Sequence, residues 1–438
     1  MELILKPAEG RMTGKIQNAI NECFLAGGGR VVLTKGLYTV GGFRLRSNVT
    51  LYLCSGATLK GTRDPEDYAY PENDPIEPMP EEYRTDVLWE SPRKRANADH
   101  ITKAGSRWNR ALIRLIHAKN AAIIGEPGSV IDGSDVYDAI GEEHYRGPHG
   151  ISMHYCEDLV FSGYTIQNTG NWAHLGHESR RLAFSNITVL AGHDGVHVSS
   201  CDDVTVAQCE FYTGDDCVAG FDNERVVVQD CVMNTACSGL RFGGRDVLIE
   251  RCRFYGPAKY FFRGSLSLED KISGNPAPQT GRKSMLSLFT YYSDFTLTVR
   301  SLPGNIVVRN CTAENMERFL LYDFSGNQVW QKNRPLSSIT FENLTAQNVQ
   351  MPLNAYGDVE NPIDLKMQNC FVSFEEPIPS AIRAAYYGTI DLSNVAFGNV
   401  TGALVTSFGG DGELLCENVA GADCRVVPAD EPYTCKSI

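Results

Sequence analysis

An all-β, single-stranded, right-handed parallel β-helix (a solenoid) with a short N-terminal capping helix is the fold class this chain predicts. Three observations carry it. A short apolar phrase recurs as Leu182-Ala183-Phe184, Val204-Thr205-Val206, Val226-Val227-Val228 and Val247-Leu248-Ile249, at intervals of 22, 22 and 21 residues. The last three copies each reach a cysteine five residues after their first apolar position, at Cys209, Cys231 and Cys252. Within each copy apolar residues alternate, as a strand with one buried face requires. A fixed period of this size marks a repeat architecture, and its unit here is a strand rather than a helix pair. Residues one period apart then lie one above the other, ~4.8 Å apart.

The elements follow in order. Residues 13–26 read as one amphipathic helix, with Ile16, Ala19, Ile20, Cys23 and Phe24 at i, i+3, i+4 spacing. Gly27-Gly28-Gly29 ends it, and residues 1–30 form a cap over the open end of the coil, because repeat arrays need closed ends. Strands are expected at 31–33, 43–45 and 49–53. Residues 64–99, with prolines at 65, 71, 75, 78 and 80, leave the coil as a long loop. The coil resumes near Ala111 and is clear from Leu159 to Phe254. A second excursion, 256–295, carries Lys259, Arg263, Lys271, Arg282 and Lys283. The phrase returns at Ile306, Ile339, Leu365 and Ile390, now spaced by 33, 26 and 25 residues, so these turns hold longer loops. A continuous repeat argues for one domain over 1–438, with both excursions bordering a cleft.

Composition narrows the function. With 42% hydrophobic and 21% charged residues the chain is ordinary for a soluble protein. Lys and Arg total 40 against 53 Asp and Glu, a net charge of −13, which argues against nucleic acid. No membrane is expected as a partner, since no run of ~20 apolar residues exists. The N-terminus is too short and acidic for a signal peptide, so a cytoplasmic location is expected, or a secreted one if a leader has been removed. Of the 14 cysteines, Cys209, Cys231, Cys252, Cys311 and Cys370 share one apolar slot. They read as free, buried thiols rather than a disulfide framework. Five Asn-x-Thr triplets start at Asn48, Asn186, Asn310, Asn343 and Asn399; stacked turn asparagines explain them without glycans.

Chemistry concentrates where three turns align: Gly192-His193-Asp194-Gly195, Gly214-Asp215-Asp216-Cys217 and Ala236-Cys237-Ser238-Gly239. Asp194 and Asp216 are 216 − 194 = 22 residues apart, one period, with Asp215 beside them. Three carboxylates on two rungs repel one another, which suits one kept as an acid and others as bases; a calcium site is the structural alternative. A common mouth open to water is expected around them. By strand parity Val196, Val198, Val218, Leu240 and Phe242 point inward, while His197, Ala219 and Arg241 point outward on three rungs. These last would form a substrate floor or be ordinary surface residues. Since alternation alone would turn Asp194 and Asp216 inward, the chain must bend near them.

The segment Gly192 to Ala219, with Gly214-Asp215-Asp216-Cys217-Val218-Ala219, resembles the polygalacturonase family of glycoside hydrolases (family 28). Ile16-Gln17-Asn18-Ala19-Ile20, Gly27-Gly28-Gly29, Leu45-Arg46-Ser47-Asn48-Val49 and Ile131-Asp132-Gly133 are similar as well. The resemblance implies inverting, single-displacement hydrolysis of a glycosidic bond in a pectin-type or related oligo- or polysaccharide, without cofactor or metal. It implies Asp215 as the general acid, with Asp194 and Asp216 orienting and deprotonating water. Inversion needs acid and base ~6.5–9.5 Å apart. Three departures stand out. The family's Asn-Thr-Asp is Gly192-His193-Asp194; its Gly-His-Gly histidine aligns with Cys237, next to Ser238; and in place of Arg-Ile-Lys the nearest stretch is Lys259-Tyr260-Phe261-Phe262-Arg263. The sugar is therefore open. Arg241 and Arg263 would grip an anionic one, while His197 and the aromatics Trp172, Tyr291 and Tyr292 would hold a neutral one; His193, Cys237, Ser238 and Lys259 are further substrate-binding candidates. A lyase or epimerase on the same coil, and a non-catalytic carbohydrate-binding coil, are the competing readings.

Overall fold

Alternating apolar residues stack into continuous columns, and these columns are what hold the strands in register. The structure, a computed structural model, describes residues 1–70, 74–79, 81, 104–273, 281–294, 299–326, 331–410 and 412–430. Its strand ladders are parallel and its helices few, the expected all-β parallel β-helix. The chain divides into two compact units, Met1–Asp215 with Tyr260–Arg282, and Asp216–Lys259 with Lys283–Ile438.

In the first unit one column runs Leu3, Val31, Leu51, Ile123, Phe161, Phe184, Val206, each residue paired with the next across a parallel ladder. Phe161 and Phe184 stack with ring centroids 5.0 Å apart. The cap is a strand, Glu2–Leu5, paired with Gly29–Leu33, followed by the helix Thr13–Leu25. That helix buries Ile16, Ala19, Ile20 and Cys23, and Gly27 at φ +88° closes it, while the Gly28 amide donates to the Cys23 carbonyl. The first excursion is anchored at its start by charge. Asp74 accepts two 2.7 Å bonds from Arg46 and one of 3.2 Å from Arg44, all three side chains being buried. Most of the loop expected at 64–99 lies outside the described residues.

In the second unit a column runs Val226, Val247, Ile306, Ile339, Leu365, Ile390, Leu414. The second excursion ends earlier than expected: Met285–Tyr291 is already a coil strand, paired with Ser238–Glu250 and Thr312–Asp323. All seven of its residues are buried, so no apolar alternation exists to reveal it. The thirteen cysteines among the described residues are free, and those in the shared slot are buried. Asn310, Asn343, Asn369, Asn394 and Asn418 form a side-chain ladder, each amide donating to the previous carbonyl at 3.1–3.2 Å. All five have φ near +50°, a conformation asparagine tolerates better than most residues.

Candidate active site

Each aligned turn interrupts a rung at the same point. Thr188–Ala191 pairs with Glu210–Thr213, with Ala191 opposite Thr213, and the Gly214 amide donates to the Ala191 carbonyl at 2.9 Å. Both strands then break, one into Gly192–Gly195 and the other into Gly214–Cys217. This is the expected bend. Both glycines are required by space. A Cβ on Gly192 would lie 2.6 Å from the Arg263 Cγ, and one on Gly214 would overlap the Phe261 carbonyl oxygen. Residues 260–273 therefore lie against the turns that carry Asp194 and Asp215.

In the first unit, the Asp194 Oδ2 is 2.8 Å from His197 Nδ1. The His197 ring stacks on Trp172 with centroids 3.7 Å apart and planes within 3°. Trp172 in turn meets Trp108 and His149. Both Trp172 and His197 are buried, so neither presents a free face and the outward floor is not formed by His197. Asp215 keeps 14% side-chain exposure, against 3% for Asp194. The mouth expected to be open at every aspartate is open chiefly at Asp215.

Arg146, which sequence reasoning missed, is the hub of this unit's site. Its Nη2 lies 3.2 Å from Asp215 Oδ2 and its Nη1 3.1 Å from His193 Nδ1 and 3.3 Å from Asn171 Oδ1. Its Nε faces Glu143 at 2.9 Å and Glu142 at 3.4 Å. Burial pushes the Glu142 carboxyl well above the carboxylate range, and Arg146 does not offset it. Burial also pushes Glu143 up, but there Arg146 outweighs it and holds the group low. His193 is fully buried, and burial reinforced by Arg146 pushes its pKa well down, leaving the ring neutral. Tyr145 stacks on His193 and receives the Lys271 ammonium 4.1 Å above its ring. The pair Glu142-Glu143 followed by Arg146 at i+3 and i+4 was the available signal. Arg263 is spent on structure: its Nη1 is 2.8 Å from Asp135 Oδ2 and it is buried, so it is not a free anion grip. Asp132, of the Ile131-Asp132-Gly133 triplet, anchors a turn by accepting from Ser134, Gln167 and Asn168.

In the second unit, Asp216 is 2% exposed; its Oδ1 accepts from the Ser238 amide at 2.8 Å and its Oδ2 lies 3.9 Å from Arg241 Nη1. The Arg241 guanidinium sits 3.7 Å above the Tyr292 ring. Ser238 Oγ donates to Thr290 Oγ1, and Cys237 is buried, its amide bonded to Thr235 Oγ1. Tyr291 is also buried, its hydroxyl donating to the Pro335 carbonyl, so it packs the coil instead of offering a platform. The Lys259 amide donates to Asn234 and the residue is exposed. His149 meets Trp108, His174 meets Tyr164, and His154 and His177 are 5.9 Å apart by ring centroid.

The sequence profile of glycosyl hydrolases family 28 matches residues 96–241, the stretch holding all three aspartates. The likeness drawn from the motifs is thereby borne out. A probable polygalacturonase of Vitis vinifera is 26% identical over 218 residues, 47% of this chain and 40% of that protein, so the match spans less than half of the relative's length. Among solved structures, an exopolygalacturonase of Thermotoga maritima is similar with a TM-score of 0.60 at 15% identity, over 91% of this chain and 92% of that one. The polygalacturonase of Erwinia carotovora ssp. carotovora gives 0.57 at 15% identity, over 96% of each chain. The Streptococcus pneumoniae surface adhesin PfbA gives 0.62 at 13% identity, over 94% and 93%. At these identities the structures share the fold.

Proposed function

We propose that this chain is a glycoside hydrolase of the polygalacturonase type, hydrolysing a pectin-type or related oligosaccharide by single displacement with inversion. Asp215 protonates the leaving glycosidic oxygen as that bond breaks, while Asp194 and Asp216 orient the water that attacks the anomeric carbon and one of them accepts its proton. The observation that carries this reading is the pair of glycine turns in register, which bring Asp194 and Asp215 out of neighbouring rungs. Their environments differ. Asp194 is oriented by His197, itself clamped by Trp172, whereas Asp215 is the more exposed and rests on Arg146.

The test is product analysis on defined oligosaccharides, galacturonides and rhamnogalacturonides first and neutral galactosides second. An inverted anomeric product is expected, and Asp215→Asn should lose at least ~100-fold in rate, the scale of a removed general acid. Wild-type turnover in that variant would remove Asp215 from the chemistry. An ultraviolet-absorbing unsaturated product, abolished by chelator, would replace hydrolysis with elimination.

A further inference from the structure

We infer that Arg146 is a positioning residue that holds the Asp215 carboxyl group and the His193 ring in one fixed arrangement, so that Asp215 meets the leaving oxygen. This rests on reading Asp215 as the general acid. Arg146 is 5% exposed and its guanidinium serves five groups at once: Glu142, Glu143, Asn171, His193 and Asp215. The two glutamates face only its Nε, so both Nη groups are left to the other three partners. The other contacts have a pattern: His193 and Asp215 are 215 − 193 = 22 residues apart, one coil period, and Arg146 bridges the two rungs at 3.1 and 3.2 Å. A planar fork of donors does this; a lysine's point charge does not.

The same contact sets the histidine's tautomer. Arginine only donates, so His193 Nδ1 must accept, and the neutral ring carries its hydrogen on Nε2. That Nε2 is buried and makes no hydrogen bond within the described residues. Arg146 thus fixes both the tautomer and the position of the His193 ring. The backbone that delivers Arg146 is itself unusual: Glu143 and His144 are consecutive non-glycine residues at φ +52° and +63°. Such strained positions persist where the surroundings over-determine them.

The experiment compares an oligogalacturonide, whose leaving group needs a proton, with 2,4-dinitrophenyl galacturonide, whose leaving group does not. On the oligogalacturonide, Arg146→Met should lower kcat by about 10–100-fold with KM within about 3-fold, as expected for a misplaced catalytic group. On the dinitrophenyl substrate it should stay within about 3-fold of the parent. Equal losses on both substrates, or no loss on either, overturn the inference. Should Arg146→Met fail to fold by circular dichroism, Arg146→Lys, which keeps the charge without the fork, and Glu143→Gln are read by the same two-substrate comparison. Asp215→Asn run in parallel separates the two claims. If it too loses equally on both substrates, the general-acid reading falls; if it spares the activated substrate while the Arg146 variants do not, only the positioning role falls.

Discussion

Replacing Gly214 by alanine tests whether the 260–273 segment is seated on the turn that carries Asp215 by backbone contact. Gly214 does not occupy the left-handed region, so alanine meets no conformational penalty there and the cost is one of space. The added carbon would overlap the Phe261 carbonyl oxygen and come within 2.7 Å of the Gly192 carbonyl oxygen and 2.8 Å of the Phe261 carbonyl carbon. All three are main-chain atoms, so a segment must move rather than a rotamer. Overpacking of this kind costs about 1–3 kcal/mol, which at 1.36 kcal/mol per decade is a rise of about 5- to 150-fold in local opening. Native-state hydrogen exchange reads it at two amides, residue 214, bonded to the Ala191 carbonyl, and Phe262, bonded to the Arg282 carbonyl. Gly192→Ala is the internal control. Its Cβ meets side-chain atoms of Arg263 rather than main chain, so it should cost less although Asp135 holds that side chain. Unchanged protection in Gly214→Ala, or a larger loss in Gly192→Ala, would refute this account.

Two further outcomes follow from buried charge. Asp74→Asn leaves Arg44 and Arg46 buried with Glu77 as their remaining acidic partner among the described residues, and should cost about 3 kcal/mol at pH 7 by urea denaturation; a variant as stable as the parent there would show the ion pair to be idle. Burial pushes the Asp74 carboxyl up, but Arg46 together with the Ile76 and Glu77 amides outweighs it and holds it below the usual range. Its contribution is therefore full above the unfolded value of about 3.9 and is lost as pH falls through the folded value, a loss the variant should lack. Glu142→Gln has the opposite sign. A raised folded pKa favours the protonated state, whose stabilisation is full below the unfolded value of about 4.3 and fades as pH rises. The glutamine variant should gain on the parent between pH 4 and pH 8, and a difference independent of pH would contradict the burial assigned to this group.

Much of the fold was legible because a strand with one buried face writes its geometry as alternation, and a coil repeats that writing once per circuit. Val226, Val247 and Ile306 declare their column in this way, and Cys231, Cys252 and Cys311 mark the corner beside it. The cap was legible through Ile16, Ile20 and Cys23 together with the closing glycines. Met285–Tyr291 was not, since a strand covered on both faces carries no period. Of the site, the aspartates and their bend were readable, because the repeat converts 22 residues into one rung. Arg146 was not: it comes from an irregular turn off the repeat, and its partners Asn171, His193 and Asp215 lie 25, 47 and 69 residues downstream. Nor did composition reveal that Trp172 and Tyr291 are spent on packing, since an aromatic residue reads alike whether its faces are covered or free.

The amide ladder of the second unit has a consequence for how such a coil changes over time. Its successive asparagines stand 33, 26, 25 and 24 residues apart, yet every link is the same length within 0.1 Å. The ladder works as a fixed hinge pin on which circuits of unequal circumference are threaded. Insertions or deletions at other corners are taken up there without slipping the strands, so the loops are free to be remodelled while the frame beneath them stays the same.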